Sequence, residues 1–147
     1  MRIAIVYTSV TGNTAEVADE IYRICRKRNQ DVSLFTIGQF QSVSLNQYDV
    51  IIIGTYTWGS GEIPAEMWKL YRQFEETDCK DLTTAVFGTG DSFYPHFCGA
   101  VDAFRDMLYV HTHLAATLKI ELTPQAQDRL RCVKFVDSVM KHAGKSL

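Results

Sequence analysis

The stretch Arg2-Ile3-Ala4-Ile5-Val6-Tyr7-Thr8-Ser9-Val10-Thr11-Gly12-Asn13-Thr14 decides the fold. It opens with a continuous apolar run, Ile3 to Val6, of the kind that forms a strand buried on both faces. A loop rich in hydroxyls follows, with one glycine. A helical pattern begins where that loop ends. From Asn13 to Arg28, Val17, Ile21, Ile24 and Cys25 recur at spacings of three and four. The pattern closes on Arg26-Lys27-Arg28, cations that complement a helix C-terminus. A buried strand passing through a short glycine-containing turn into a helix is the opening of a parallel α/β unit.

The rest of the chain repeats this alternation. Val50 to Ile53, Ala85 to Phe87 and the looser Leu114 to Ile120 are further apolar runs, and Val32 to Ile37 alternates as an edge strand does. Helical spacing is predicted from Pro64 to Phe74, with Met67, Trp68 and Tyr71, and from Cys98 to Leu108, with Val101, Phe104 and Leu108. A last helix is predicted to open at Thr123 as N-cap and Pro124 as its first residue, with Leu130, Val133, Phe135, Val136 and Met140 on its apolar side. Strands alternating with helices predict a parallel sheet covered on both faces, in one domain over residues 1–147. In such sheets, ligands sit beyond the C-terminal ends of the strands.

Composition narrows the function classes. A formal net charge of -2 and a pI near 6.1 give no basic footprint for nucleic acid. Cys25, Cys79, Cys98 and Cys132 show no zinc-ligand spacing and read as free thiols of a reducing compartment. The N-terminal apolar run is too short for a signal segment, and no stretch reaches the ~18 residues of a membrane span. The expectation is a cytoplasmic protein that touches neither membrane nor nucleic acid. His111 and His113 fall on one predicted strand face without a third ligand, so no metal is expected.

Three loops lie at the strand ends where a ligand should bind. The first, Thr8 to Thr14, offers hydroxyls, one amide and the unpaired N–H groups of a helix N-terminus, an anion site on two physical grounds. It contains no lysine and no G-x-G-x-x-G, so it is neither a Walker loop nor a dinucleotide loop. Neutral donors of this kind suit a terminal phosphomonoester. The second loop, Gly54-Thr55-Tyr56-Thr57-Trp58-Gly59-Ser60-Gly61-Glu62-Ile63-Pro64, and the third, Gly88-Thr89-Gly90-Asp91-Ser92-Phe93-Tyr94-Pro95-His96-Phe97-Cys98-Gly99, combine glycines with large aromatics. Two rings facing a gap would sandwich a flat heterocycle.

The hydroxyl loop at Thr8 to Thr14, the Thr57-Trp58-Gly59 loop and the Gly88-Thr89-Gly90-Asp91-Ser92-Phe93-Tyr94 loop resemble those of flavodoxins, in the same order along the whole chain. The resemblance implies a doubly wound five-stranded parallel sheet, order 2-1-3-4-5, with helices on both faces. Because strand five runs directly into the last helix, the chain is similar to the short-chain group. The family carries FMN and moves electrons rather than catalysing a reaction. By resemblance, Ser9, Val10, Thr11, Gly12, Asn13 and Thr14 would wrap the FMN phosphate, with Thr57 closing over it. Trp58 and Tyr94 would flank the isoalloxazine. Thr89, Gly90, Asp91 and Phe97 would meet the ribityl and pyrimidine edges. Tyr56, Gly59, Ser60, His96 and Cys98 complete the implied contacts, and the Gly59 carbonyl would turn toward flavin N5–H. A site of aromatic faces and neutral donors offers no counter-charge to a reduced flavin anion, so it should lower the second one-electron potential.

Two features depart from the family pattern. Ser60 stands where many short-chain members carry an acid, and the overall charge is only mildly negative. Positive charge gathers at Arg23, Arg26, Lys27 and Arg28, whereas Glu16, Glu62, Glu66 and Asp91 lie toward the expected cofactor rim. The implied partners are an NADPH-dependent flavodoxin reductase as donor and redox enzymes as acceptors, met by a monomer. The alternative is a specialised FMN partner that activates ribonucleotide reductase. A receiver domain of the same topology would need acids where Tyr7-Thr8 and Gly54-Thr55 stand, so that reading is disfavoured.

Overall fold

The computed structural model describes residues 1–146, apart from the side chains of residues 42–44, 145 and 146. Five strands form one sheet: β1 (Arg2–Tyr7), β2 (Asp31–Thr36), β3 (Val50–Tyr56), β4 (Thr83–Gly90) and β5 (His113–Glu121). Their order is β2-β1-β3-β4-β5, and every neighbouring pair is parallel. The helices are α1 (Asn13–Lys27), α2 (Trp68–Glu76), α3 (Gly99–His111) and α4 (Ala126–Ser146).

Alternation along β1 and β3 divides the core into two layers. Ile3, Ile5, Val50 and Ile52 face Val17 and Ile21 of α1 and Phe135, Val136 and Val139 of α4. Ala4, Val6, Ile51 and Ile53 face Leu70 and Phe74 of α2 and Phe104 and Leu108 of α3. Side chains of this size each contribute about 1.5–3 kcal/mol when fully buried. Burial on both faces explains why these strands read as unbroken apolar runs. Gly54 in β3 serves the same packing, since a Cβ there would lie 2.2 Å from the Phe87 ring.

The structure corrects several local expectations. The Pro64–Phe74 segment is a short 3-10 turn, Ala65–Met67, leading into α2. The last helix starts at Ala126, where the Asp128 carboxylate accepts the Gln125 N–H at 2.8 Å, a cap that the Thr123-Pro124 signal had hidden. Thr123 instead donates its hydroxyl to Asn13 Oδ1 at 3.2 Å, tying β5's exit to the first loop. Leu130 is 59% exposed and lies off the apolar side assigned to it. His111 ends α3 while His113 opens β5, so the two do not share a strand face. Among the described residues, no group of three metal-ligating side chains forms.

Candidate functional site

The three loops leave the same edge of the sheet because all five strands run in one direction, and β1, β3 and β4 are neighbours at its centre. The first loop turns into α1 at Gly12, whose φ of +96° is a left-handed conformation that glycine adopts without a Cβ penalty. A Cβ built there meets nothing within 4 Å, so open space lies above the turn. Ser9 Oγ accepts N–H groups from Gly12 (3.2 Å) and Ala15 (3.3 Å), which closes the loop around the helix N-terminus. Thr14 and Thr89 share a buried hydroxyl–hydroxyl bond of 2.7 Å, joining the first loop to the third.

Val10 is exposed and lines two grooves. One, of about 260 Å³, is bounded by Thr11, Asn13, Thr14, Tyr56, Thr57, Thr89, Gly90, Asp91 and Leu122. The other, of about 280 Å³, runs past Thr8, Ser9 and Gly12 to Thr36 and Ile37. Neither is lined by a lysine or arginine, and none of the three loops contains one. The polar groups that face a ligand here are hydroxyls, an amide and one carboxylate. A similar-sized cleft between α1 and α4 receives nothing from the loops after β3 and β4, and an Arg129–Glu20 ion pair of 3.3 Å lies at its wall.

The second loop is a tight hairpin. Trp58 N–H donates to Glu62 O at 2.8 Å and Glu62 N–H to Trp58 O at 2.7 Å, with Gly59 (φ +54°) and Gly61 (φ +116°) in the turn. Trp58 stands 60% exposed on this frame. Thr57 Oγ accepts the Ala100 N–H at 3.2 Å and so braces the loop against the start of α3. On the third loop, Tyr94 is 62% exposed, and Asp91 holds the turn by accepting the Phe93 N–H on its carboxylate at 2.9 Å. His96 and Phe97 lie between Tyr94 and α3. A Cβ on Gly61 would come within 2.7 Å of His96 Cβ, and one on Gly99 within 2.7 Å of Gly61 O. The second and third loops therefore touch through two bare glycine backbones.

The first groove brings together Val10, Thr11, Asn13, Thr14, Tyr56, Thr57, Thr89, Gly90 and Asp91. Ser9 and Gly12 line the neighbouring groove, and Trp58, Gly59, Ser60, Tyr94, His96 and Phe97 lie further along the second and third loops. Cys98 lines neither groove. It is 1% exposed, sits at the left-handed cap of α3 (φ +53°), and packs in the core with its sulfur 3.0 Å from where a Gly90 Cβ would be. It supports the third loop from beneath rather than facing the cleft. Two contributors escaped the sequence reading. Leu122 (φ +52°) lines the first groove and donates its N–H to Gly90 O at 2.7 Å. Glu66 accepts the hydroxyls of Thr8 (2.7 Å) and Tyr56 (2.9 Å) on one oxygen. Leu122 follows directly on the end of β5, a position that points to the ligand edge, whereas the sequence marks Glu66 only as rim charge.

A doubly wound parallel sheet with a hydroxyl-lined groove free of lysine and arginine at its carboxyl edge is the architecture of a flavodoxin-like ligand-binding protein. Residues 5–134 match the family described as flavodoxin. The chain is 36% identical to probable flavodoxin 1 of Bacillus subtilis, over 86% of this chain and 82% of that one. It is 34% identical to probable flavodoxin 2 of the same organism, over 97% of both. The crystal structure of oxidised flavodoxin 1 from Bacillus cereus superposes with a TM-score of 0.89 at 34% identity, covering 97% of this chain and 99% of that one. The chain belongs to the flavodoxin family, electron-transfer flavoproteins that bind FMN and are carriers rather than enzymes, and its length places it in the short-chain group. Among the described residues, no helix is long and apolar enough to cross a membrane.

Proposed function

We propose that this chain holds one FMN in the three-loop cleft and carries electrons from an NADPH-dependent flavodoxin reductase to acceptor redox enzymes. A left-handed glycine turn at a helix N-terminus, beside a groove lined by all three loops without a lysine or arginine, supports this reading. Bound FMN supplies one-electron chemistry at its isoalloxazine ring. Ser9 to Thr14 would hold the phosphate by hydroxyls and backbone N–H groups, helped by the positive end of α1. Thr57 would close over the phosphate, and Thr89, Gly90 and Asp91, which line the groove with it, would meet the ribityl chain and the pyrimidine edge. Trp58 and Tyr94 would cover the two ring faces, excluding water and leaving one edge to the partner.

Charge supports the direction of docking. The loops carry Glu62 and Asp91 and no cation, while the last turn of α1 carries Arg26 and Lys27. An acidic rim steers the cofactor end toward a basic partner surface, and salt weakens that steering. Titration of the purified protein with FMN, followed by quenching of flavin fluorescence, tests the reading. Stoichiometric quenching, with reduction by a flavodoxin reductase and NADPH that slows as salt is raised, is expected. Absence of quenching by FMN would end it.

A further inference from the structure

Glu66 is a carboxylate in an unusual place. It is exposed, in the 3-10 turn Ala65–Met67 between the second loop and α2, while Ile63 and Met67 on either side of it are buried in the core. One oxygen, Oε2, accepts two hydroxyls from two different strand ends: Thr8 at the exit of β1 (2.7 Å) and Tyr56 at the exit of β3 (2.9 Å). Those two residues line different grooves, one on each side of Val10. A backbone bond from Thr8 N–H to Gly54 O (3.1 Å) joins the same strands one step lower. Above that level, the Glu66 clasp is a side-chain tie between the start of the first loop and the start of the second.

The electrostatics fit a carboxylate working as an acceptor. Burial would raise the Glu66 pKa, but hydrogen bonds from Thr8, its own backbone and Tyr56 outweigh it and hold the group below the usual carboxylate range. The same contact acts on its partner: burial, the bond to Glu66 and the Glu66 charge push the Tyr56 phenol up to about 12. Charge-assisted hydrogen bonds are about twice as strong as neutral ones. A negative charge near a phosphate site would repel the ligand unless absorbed. Here two hydroxyl donors absorb it.

We propose that Glu66 is a positioning residue of the cofactor cleft: by gathering the Thr8 and Tyr56 hydroxyls on one carboxylate, it fixes the first loop against the second and so sets the grip on the phosphate. This rests on the FMN reading above. The clasp touches no ligand itself; it acts through Thr8 and Tyr56.

FMN-saturated wild type and variants are diluted, and released flavin fluorescence gives the dissociation constant. Urea midpoints without added flavin report on stability. Glu66→Ala is expected to weaken FMN about tenfold, as loss of a charged acceptor predicts, with a nearly unchanged urea midpoint. Glu66→Gln, which keeps an acceptor oxygen, should retain most of the affinity. Tyr56→Phe should weaken binding about threefold in wild type and have no further effect in Glu66→Ala, because coupled residues are non-additive. Unchanged affinity in Glu66→Ala, additive losses, or a fall in affinity that tracks a fall in stability each overturn the clasp. If Glu66→Ala does not fold, the cycle is run with Thr8→Val and Tyr56→Phe, the two donors on that carboxylate, and additive losses overturn the clasp. Failure of wild type to take up FMN overturns the functional reading instead, and is distinguishable because it appears before any substitution.

Discussion

The second and third loops are made of the same materials, glycines and large aromatics, yet they are held by different means. The second is a closed hairpin in which Trp58 and Glu62 exchange two backbone hydrogen bonds, 2.8 and 2.7 Å, across a turn with two positive-φ glycines. The third is a chain of small turns. The Asp91 carboxylate accepts from Phe93, the Asp91 carbonyl accepts from Tyr94 at 3.1 Å, and the His96 carbonyl accepts from Gly99 at 3.0 Å. Phe93, at the tip, is 92% exposed. One wall of the cleft is a preset frame, and the other is a series of short links that can adjust. The two walls meet where Gly61 closely approaches His96 and Gly99.

Breaking that junction should have the largest effect. Gly61→Val places a β-branched residue at φ +116° and a Cβ 2.7 Å from His96 Cβ. Strain at positive φ and overpacking each cost about 1–3 kcal/mol. The expected outcome is a urea midpoint lowered in proportion to about 3 kcal/mol, together with at least tenfold weaker FMN binding. If stability falls but FMN affinity does not, the two walls bind independently and the junction is only structural.

Removing one ring at a time sharpens the contrast between the walls. Alanine in place of a ring that stacks on a flat heterocycle costs about 1–3 kcal/mol, roughly five- to a hundred-and-fortyfold in affinity. Trp58→Ala should lie at the upper end, since the ring is large and its hairpin holds it in place before binding. Tyr94→Ala should lie at the lower end, because part of that ring's contact is offset by ordering the third loop. Fluorescence titration of both variants checks the ranking. Equal losses would mean that the third wall is as preset as the second.

The sheet was legible because Ile3 to Val6 and Val50 to Ile53 are short, rich in β-branched residues and bounded by polar ones, as strands buried on two faces are. The first loop was legible because hydroxyls, Gly12 and a helix start have a combined meaning that each lacks alone. What stayed hidden was long-range. Nothing local marks Glu66 as the partner of Thr8, 58 positions away. Nothing local shows that Gly61 and Gly99 meet, or that Cys98 turns inward at a left-handed cap. Thr123-Pro124 misled for the opposite reason: a good local start signal was overridden by the Asp128 cap and by the bond from Thr123 to Asn13.

Cys98 offers a reporter for motion of the third wall. Burial pushes its thiol up to about 11, with Lys119 pulling slightly the other way. Burial pushes Cys25 and Cys132 to about 11 as well, but both of those lie in the core layer between the sheet and the α1 and α4 helices. At pH 8 all three should therefore resist iodoacetamide in the native protein and react in urea. Local opening of the third loop exposes Cys98 alone. It should label several-fold faster than Cys25, and FMN should slow Cys98 while leaving Cys25 unchanged. Peptide mapping after timed labelling reads both rates. Equal rates would show that the third loop opens only when the whole fold does.

The smallest expected effect concerns the hairpin tip. Ser60 is exposed between Gly59 and Gly61, and the only acid in the second loop is Glu62, whose carboxylate lies 3.6 Å from where a Gly59 Cβ would sit. Ser60→Asp adds a charge at a solvent-exposed position without altering either glycine, so the frame of the second wall should survive it. A fixed negative charge near the ring opposes the arrival of each electron. Two unit charges about 4 Å apart across water interact by about 1 kcal/mol, or a few tens of millivolts for a one-electron step. The second potential should fall by that amount at low salt, and by less than half as much at high salt, because exposed charges are screened. Spectroelectrochemical titration at two ionic strengths measures both. A potential that is unchanged, or that shifts equally at both salts, would mean that the hairpin carries its tip away from the flavin. The preset wall would then control the ring through Trp58 alone.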